Sequence, residues 1–306
     1  MNLFELQAAF HANTINKQQY IDEMHRLHSQ LFDYAEFLKG TEIGRIEISG
    51  GRLIIEARKT GIKILCDKAD KRIAPIEILN FGAYEKADSD LMFRLLEDHM
   101  SIFDIGANIG CYSLNFAKAF PNSTIYAFEP IPATFGYLRA NIGLNQATQV
   151  RPHNFGFSDR EGELTFYFDP RGSVGASAVN LQGTSEAQKV ECKIQRLDSF
   201  TAKTGARVDF IKCDVEGAEL FALTGGTETL KKFKPMVFAE MLRKWAAKFN
   251  YHPNQIIEFM AGLGYHCFVG RVGKLTEFKV MDENTSETNF FFLHGAAHAS
   301  KINTLT

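Results

Sequence analysis

FDIGANIG, residues 103–110, joins a short apolar strand to a turn that contains Gly106 and Gly110. A strand that runs directly into a glycine turn and then into a helix, here CYSLNFAKAF at 111–120, is typical of α/β sheets that bind nucleotides. Glycine permits positive φ and a close approach of the backbone to a ligand, and the helix directs its N-terminal amides toward that ligand. The stretch therefore predicts a ligand site at the carboxyl end of this strand.

From about residue 100 onward, short apolar strands alternate with helical stretches, which is the pattern of a parallel α/β sheet. The predicted strands are 101–105, 124–128, 149–157, 208–213, 235–240, 265–270 and 288–293. An insertion between the third and the fourth strand has a Gly- and Ser-rich region flanked by two strand-like runs, which predicts a loop over the ligand edge. That loop either folds over a bound acceptor, with Arg171 meeting a phosphate or carboxylate, or is a plain flexible loop.

The residues before about 80 predict a smaller N-terminal unit. Over 17–38, apolar side chains recur at alternating spacings of four and three, the repeat of a helix with one narrow apolar seam. This helix either lies on its own domain or pairs with a second copy to form a homodimer. The β-rich runs on either side of Gly50–Gly51 predict a hairpin or small sheet. We therefore expect a helix and small β cap over 1–80, ahead of a main domain over 81–306.

The composition narrows the class of partner. With 34 Lys and Arg against 36 Asp and Glu, and no long run of like charge, a surface for nucleic acid is not expected. The apolar runs fall far short of the roughly 20 residues that span a bilayer. The N-terminus shows no secretion signal, so we expect a cytoplasmic protein. The five cysteines are odd in number and widely spaced, which predicts reduced thiols.

A carboxylate follows the second predicted strand. IYAFEP ends that strand at Glu129, 19 residues after Gly110, where a carboxylate can accept hydrogen bonds from both ribose hydroxyls. A dinucleotide turn would read Gly-x-Gly-x-x-Gly, but this turn has Asn108 at the middle position and Asp104 just before it. A carboxylate here disfavours a pyrophosphate and suits a ligand with an ammonium group. S-adenosylmethionine therefore fits better than NAD, and a turn without any ligand is the alternative.

A third strand end carries two acids. VDFIKCDVEGAEL, residues 208–220, brings Asp214 and Glu216 to the same edge of the sheet. Their mutual repulsion would raise the pKa of one of them, which suits a general base. Alternatively, Glu216 only favours the N-terminus of the next helix. The two acids could also hold a divalent cation together with Glu240, although we do not expect a metal.

These stretches together resemble a known family. FDIGANIGCYSL, YAFEP, NFGFSDREGEL, RLDSF, DFIKCDVEGAELFALTGG and KPMVFAE are similar, in this order, to the FkbM family of S-adenosylmethionine-dependent methyltransferases over about residues 80–270. The resemblance implies a Rossmann-like class I methyltransferase fold, with a seven-stranded, mostly parallel sheet and helices on both faces. It also implies O-methylation of a sugar in a bacterial surface polysaccharide, lipopolysaccharide or glycolipid, or of a polyketide or other secondary metabolite.

The resemblance also implies which residues bind the cofactor. These are Glu85, Asp104, Gly106, Asn108, Gly110, Glu129, Ser158, Asp159 and Asp214. Among them, Glu85 belongs to a Tyr-Glu pair that closes over the cofactor, and Ser158–Asp159 lies near the adenine.

The resemblance does not identify the general base. After Glu240 the family often has a histidine, whereas this chain reads EMLRKWAAKFNYH, so that the nearest substitute is His252. The candidates are therefore Glu216 and Asp214, then Glu240, then His153 and His252. His153 is equally consistent with an ordinary strand histidine. An NAD-dependent oxidoreductase and a non-catalytic nucleotide-binding scaffold are the remoter alternatives.

Overall fold

The structure, a computed structural model, describes residues 1–83, 86–169, 172–178 and 188–306. Its helices are α1 (Leu3–His11), α2 (Lys17–His28), α3 (Gln30–Phe37), α4 (Ala74–Phe81), α5 (Lys86–Leu95), α6 (Cys111–Ala119), α7 (Pro132–Leu144), α8 (Leu197–Thr204), α9 (Glu219–Thr224), α10 (Thr227–Phe233), α11 (Arg243–Ala246), α12 (Asn254–Gly262) and α13 (Ala299–Leu305). Its strands are β1 (Ile43–Ser49), β2 (Arg52–Ala57), β3 (Lys63–Leu65), β4 (Ser101–Ile105), β5 (Thr124–Phe128), β6 (Val150–His153), β7 (Gly156–Phe157), β8 (Gly162–Asp169), β9 (Gly172–Ser177), β10 (Gln188–Gln195), β11 (Phe210–Cys213), β12 (Met236–Glu240), β13 (Tyr265–Arg271), β14 (Lys274–Glu277) and β15 (Asn289–His294).

The main sheet has the strand order β14-β13-β15-β12-β11-β4-β5-β6. Strands β6, β5, β4, β11 and β12 are parallel, and β15 runs antiparallel between β12 and β13. The predicted Rossmann-like class I fold is therefore confirmed, and within the described residues the short hairpin strand β14 adds an eighth strand to the seven expected. The parallel order brings the carboxyl ends of β4, β5, β11 and β12 to one edge.

The sheet is buried on both faces, which is why its strands are nearly continuous apolar runs. In β15 the side chains alternate between the two hydrophobic cores, with Phe290 and Phe292 in one and Phe291 in the other. All three are fully buried.

The predicted strand 149–157 is wrong in one respect, because it is two strands in different sheets. Val150–His153 pairs with β5 in the main sheet, whereas Gly156–Phe157 pairs with β10 in a second sheet of order β7-β10-β8-β9. The other strands of this second sheet, β8, β9 and β10, come from the insertion. The two strand-like runs predicted in the insertion are therefore confirmed. Arg171 and residues 179–187 of the insertion lie outside the described residues.

The helix predicted over 17–38 is present but is not continuous, since α2 and α3 are interrupted at Ser29, whose backbone stays helical with φ −58° and ψ −29°. The Ser29 hydroxyl donates a hydrogen bond to the Arg26 carbonyl at 2.8 Å, a side-chain bond that competes with the helical pattern. Neither helix contains a buried residue, and Leu31 of the predicted seam is 60% exposed.

In the described chain, no helix combines the length and the apolar character needed to cross a membrane.

The predicted N-terminal β-hairpin is confirmed. Strands β1 and β2 form a hairpin whose loop, Gly50–Gly51, has positive φ at both positions, as a two-residue type I′ turn requires. Strand β3 adds to its edge. The predicted boundary near residue 80 falls at the last turn of α4, and it stays a prediction.

Candidate active site

A cavity of about 340 Å³ opens where the parallel strands end, a volume in the usual range of small-molecule sites. It is lined by Arg72, Ala74, Glu77, Phe81, Ala83, Ile105, Gly106, Ala107, Asn108, Ile109, Cys111, Tyr112, Glu129, Pro130, Gly156, Phe157, Phe166, Lys212, Asp214, Val215, Glu216, Ala218 and Glu240. The lining therefore combines the glycine turn, the ends of neighbouring strands, the insertion and a segment that precedes the main sheet.

The turn after β4 requires positive φ angles and, at its glycines, leaves no room for a side chain. Gly106 has φ +78°, and a Cβ there would lie 1.8 Å from the backbone oxygen of Asp214. Gly110 has φ +93°, and its Cβ would lie 2.7 Å from the Cδ1 atom of Leu138. Asn108 also adopts the left-handed region, and its Oδ1 atom is buried without a hydrogen-bond partner. The turn thus approaches its surroundings closely and leaves one buried acceptor unpaired.

The Glu129 carboxylate lies at the cavity and is held by backbone amides. Its Oε2 accepts a hydrogen bond from the Asn108 amide at 3.0 Å, and its Oε1 accepts one from the Ile131 amide at 2.9 Å. Burial raises the pKa of Glu129 to about 7, although these two amides and Lys212 favour the charged form. Each oxygen has a second lone pair, so the oriented carboxylate can accept further hydrogen bonds from a ligand.

Asp104 lies directly behind the turn and is fully buried. Its Oδ2 accepts a hydrogen bond from the Ser113 hydroxyl at 2.6 Å, and its Oδ1 is 3.7 Å from the Nζ atom of Lys212. Burial raises the pKa of Asp104, while Lys212 and Ser113 oppose that rise. Asp104 does not line the cavity itself. It lies behind the glycine turn, to which it contributes a negative charge and hydrogen-bonded support.

Lys212 is the site residue that sequence reasoning missed. It is 3% exposed in β11, and its Nζ donates hydrogen bonds to the Gly106 carbonyl and to Oδ2 of Asp214, both at 3.1 Å. Its ammonium group also lies 5.4 Å from the centre of the Tyr112 ring, a cation–π distance. Lysine is almost never fully buried unless it is paired. The signal in the sequence was therefore a lysine inside the apolar strand FIKC.

The structure brings three of the candidate bases together at the cavity. Asp214 and Glu216 follow β11, Glu240 ends β12, and all three line the cavity. Asp214 is paired with Lys212, and Glu216 adopts a left-handed conformation with φ +53°. In the ranges that the structure describes, no group of three or more His, Cys, Asp or Glu side chains is arranged to hold a metal ion.

The buried acid Glu219 holds the turn after β11 in place. Oε1 of Glu219 accepts hydrogen bonds from the amides of Val215 at 3.1 Å and Gly217 at 3.0 Å. The Tyr251 hydroxyl lies 3.3 Å from the other carboxylate oxygen, and burial raises the pKa of Glu219 to about 7. Glu219 therefore fixes the loop that presents Glu216 to the cavity.

The two candidate histidines do not line the cavity. The His153 ring lies among aromatic rings, stacked with Phe128 at a centroid distance of 5.1 Å, and burial lowers its pKa. His252 is exposed, and its Nδ1 accepts a hydrogen bond from the Asn254 amide at 3.2 Å at the start of α12.

Among the described residues that the family resemblance assigns to the cofactor, four do not line the cavity: Asp104, Gly110, Ser158 and Asp159. Ser158 and Asp159 follow Phe157, which does line the cavity, and their side chains are hydrogen-bonded to each other at 3.1 Å. Glu85 lies outside the described residues.

Comparison with known proteins identifies the family. The model of the methyltransferase FkbM domain matches residues 104–267, which is more than half of the chain. The chain belongs to the FkbM methyltransferase family. The part of the FkbM domain that lies at the cavity includes the glycine turn, Glu129, Lys212, Asp214 and Glu216.

Several curated relatives share this FkbM domain. "Methyltransferase 1" of Beauveria bassiana is 32% identical over 146 residues, 42% of this chain and 59% of the relative. "Methyltransferase sdnD" of Sordaria araneosa is 31% identical over 190 residues, 49% of this chain and 73% of the relative. "2-O-methyltransferase NoeI" of Sinorhizobium fredii is 30% identical over 146 residues, 43% of this chain and 59% of the relative. The FkbM-family chain thus spans only about six tenths of the length of two of these relatives.

Proposed function

We propose that this chain is an S-adenosylmethionine-dependent O-methyltransferase that methylates a hydroxyl of a sugar, in a bacterial surface polysaccharide, lipopolysaccharide or glycolipid. The observation that carries the proposal is the Glu129 carboxylate at the cavity, with one oxygen held by the Asn108 amide and the other by the Ile131 amide. A carboxylate in this place and orientation suits the pair of ribose hydroxyls of this cofactor.

The residues around the turn fit the rest of this cofactor. Because Gly106 has no Cβ, the turn packs directly against the backbone oxygen of Asp214, and Gly106 itself lines the cavity. The buried Oδ1 of Asn108 lacks a hydrogen-bond partner, and it suits an ammonium group. Asp104 and Asp214 carry two negative charges against the one positive charge of Lys212, which leaves a net negative charge for a cationic ligand.

The chain's own acids suit proton transfer from the acceptor. When bound, S-adenosylmethionine supplies an electrophilic methyl carbon on a sulfonium. The protein must hold the acceptor oxygen in line with that carbon at roughly 3 Å. A side chain must also take the hydroxyl proton as the O–C bond forms and the S–C bond breaks. We assign the proton acceptor to Glu216, with Glu240 as the second candidate, because both line the cavity. Asp214, held by Lys212, then orients the loop.

The choice of oxygen as the acceptor atom has separate support. One relative, NoeI, is named a 2-O-methyltransferase. The cavity also contains carboxylates that can accept the proton of a hydroxyl, which a sugar hydroxyl must lose during the reaction.

Calorimetric titration with S-adenosylhomocysteine tests the cofactor. The wild-type protein should bind it, and Glu129→Ala should bind about 100-fold more weakly, because two hydrogen bonds to a charged group are lost. Glu228→Ala is the matched control, since that carboxylate is 72% exposed and does not line the cavity. Absence of binding to wild type, or equal affinity of wild type and Glu129→Ala, would contradict the proposal.

A further inference from the structure

Part of the cavity is built by residues that precede the family domain. Arg72, Ala74, Glu77, Phe81 and Ala83 line it, and all lie before residue 104, where the family match begins. We call this set the α4 wall. Its residues belong to α4 and the loops at both ends of that helix.

The α4 wall is anchored to the rest of the protein at both ends. Ile73, just before α4, is 1% exposed, and Ala74 is 8% exposed. After α4, the Gly82 carbonyl accepts a hydrogen bond from the Glu42 amide at 2.8 Å, which ties the helix end to the N-terminal cap. The wall is therefore a fixed part of the cavity rather than a loose segment beside it.

The anchored helix nevertheless leaves a large aromatic ring open at the cavity. Phe81 is 75% exposed although it lines the cavity. Beside it, Nε of Arg72 donates a hydrogen bond to Oε1 of Glu77 at 2.9 Å. An exposed aromatic face next to a hydrogen-bonded pair of polar side chains offers both an apolar platform and hydrogen-bonding groups to a ligand.

The charge around the cavity limits which ligand this can be. Among the described residues, the lining has two cationic side chains, Arg72 and Lys212, each paired with a carboxylate. The lining carboxylates are Glu77, Glu129, Asp214, Glu216 and Glu240. The excess of negative charge disfavours an anionic acceptor, because like charges brought together in a cleft repel strongly.

We propose that the α4 wall is the acceptor subsite and that it selects an uncharged pyranose. One face of a pyranose ring consists of C–H groups that stack on an aromatic ring, which suits Phe81. Its hydroxyls can exchange hydrogen bonds with Glu77 and Arg72. This inference rests on the proposed function, since it assumes that the glycine turn and Glu129 hold the methyl donor.

Ligand-observed NMR on the full chain, saturated with S-adenosylhomocysteine, tests the subsite. The probes are the methyl α-pyranosides of glucose, mannose, galactose and rhamnose, with glucose 6-phosphate as the charged counterpart. At least one glycoside should bind, and it should bind at least tenfold more tightly than glucose 6-phosphate. Phe81→Ala should weaken glycoside binding about tenfold, the upper end of what aromatic stacking contributes, and should leave the affinity for S-adenosylhomocysteine unchanged.

Two further variants complete the design. Phe81→Trp should retain glycoside binding, because it keeps an aromatic face. Phe4→Ala, at a side chain that is 80% exposed in α1 and does not line the cavity, should change nothing. Three results would refute the acceptor inference and leave the proposed function standing. The protein could bind S-adenosylhomocysteine but no glycoside, Phe81→Ala could bind glycoside as wild type does, or glucose 6-phosphate could bind more tightly than every glycoside. If S-adenosylhomocysteine does not bind to wild type, the proposed function fails first.

Discussion

Replacing Lys212 by methionine, which keeps the length of the side chain and removes its charge, should destabilise the protein by about 3–5 kcal/mol. Lys212 is 3% exposed and Asp104 is fully buried, so the variant leaves a buried carboxylate that accepts a hydrogen bond from the Ser113 hydroxyl but has lost its cationic partner. Asp214 loses a partner as well, but its side chain is 31% exposed and water can replace the ammonium group. The cost therefore comes mainly from Asp104.

The assay is urea unfolding of wild type, Lys212→Met and the double variant Lys212→Met/Asp104→Asn. The double variant removes both buried charges and keeps the net charge of the three side chains at −1, as in wild type. It should recover most of the lost stability, since no buried charge is then unpaired. Recovery of stability without recovery of S-adenosylhomocysteine affinity would show that Lys212 also positions Gly106 and Asp214.

The pH dependence gives a second, independent readout. Without Lys212, burial raises the pKa of Asp104 further above its unfolded value, so Asp104 takes up a proton in the folded state. A carboxyl with a raised folded-state pKa contributes stability at low pH and loses it as the pH rises. The deficit of Lys212→Met relative to wild type should therefore be larger at pH 8 than at pH 5. A deficit below about 1 kcal/mol at pH 8, or a double variant no more stable than the single one, would refute the reasoning.

Further predictions concern other parts of the molecule. Burial raises the pKa of Glu129 to about 7, and ribose hydroxyls favour its charged form. Calorimetry should therefore show the affinity for S-adenosylhomocysteine rising about tenfold from pH 6 to pH 8. The same rise in Glu129→Gln would show that ionisation of Glu129 is not its cause. Gly106→Ala should unfold at a much lower temperature than wild type, whereas Gly136→Ala, a helical position with open space, should unfold at an equal or higher one; equal effects would contradict the close approach at Gly106. Glu216→Gln should lower kcat for methyl transfer by about 10²–10⁴ with unchanged S-adenosylhomocysteine affinity, and an unchanged kcat would remove it as the base. If α2 and α3 form a homodimer contact, removal of residues 1–37 should halve the mass in light scattering, and an unchanged mass would reject that contact.

The sequence predicted the main sheet and the centre of the site because those features are local. Apolar runs of strand length, each followed by a helical stretch, identify parallel strands without any knowledge of their partners. Gly106 and Glu129 were found because the parallel topology sends every strand end to one edge, so spacing along the chain becomes proximity in space.

Other features depend on contacts that no local pattern records. Lys212 is a site residue only because β11 lies beside β4, which places its ammonium group against Asp104 and the Gly106 carbonyl. The α4 wall has no motif, and its place at the cavity follows from how the N-terminal cap and α4 pack. The interruption at Ser29, where the hydroxyl bonds the Arg26 carbonyl, lies within an otherwise regular apolar repeat that gives no sign of it.

The position of β15 has a consequence for the order in which the protein folds. β15 lies between β12 and β13 although it follows both in the chain. During synthesis, β12 and β13 therefore emerge before the strand that separates them, and each has an unpaired edge until Asn289–His294 arrives. The nascent chain must keep these two edges from pairing with each other or with a neighbouring chain, so this half of the sheet is the part in which we expect chaperone binding and aggregation during expression.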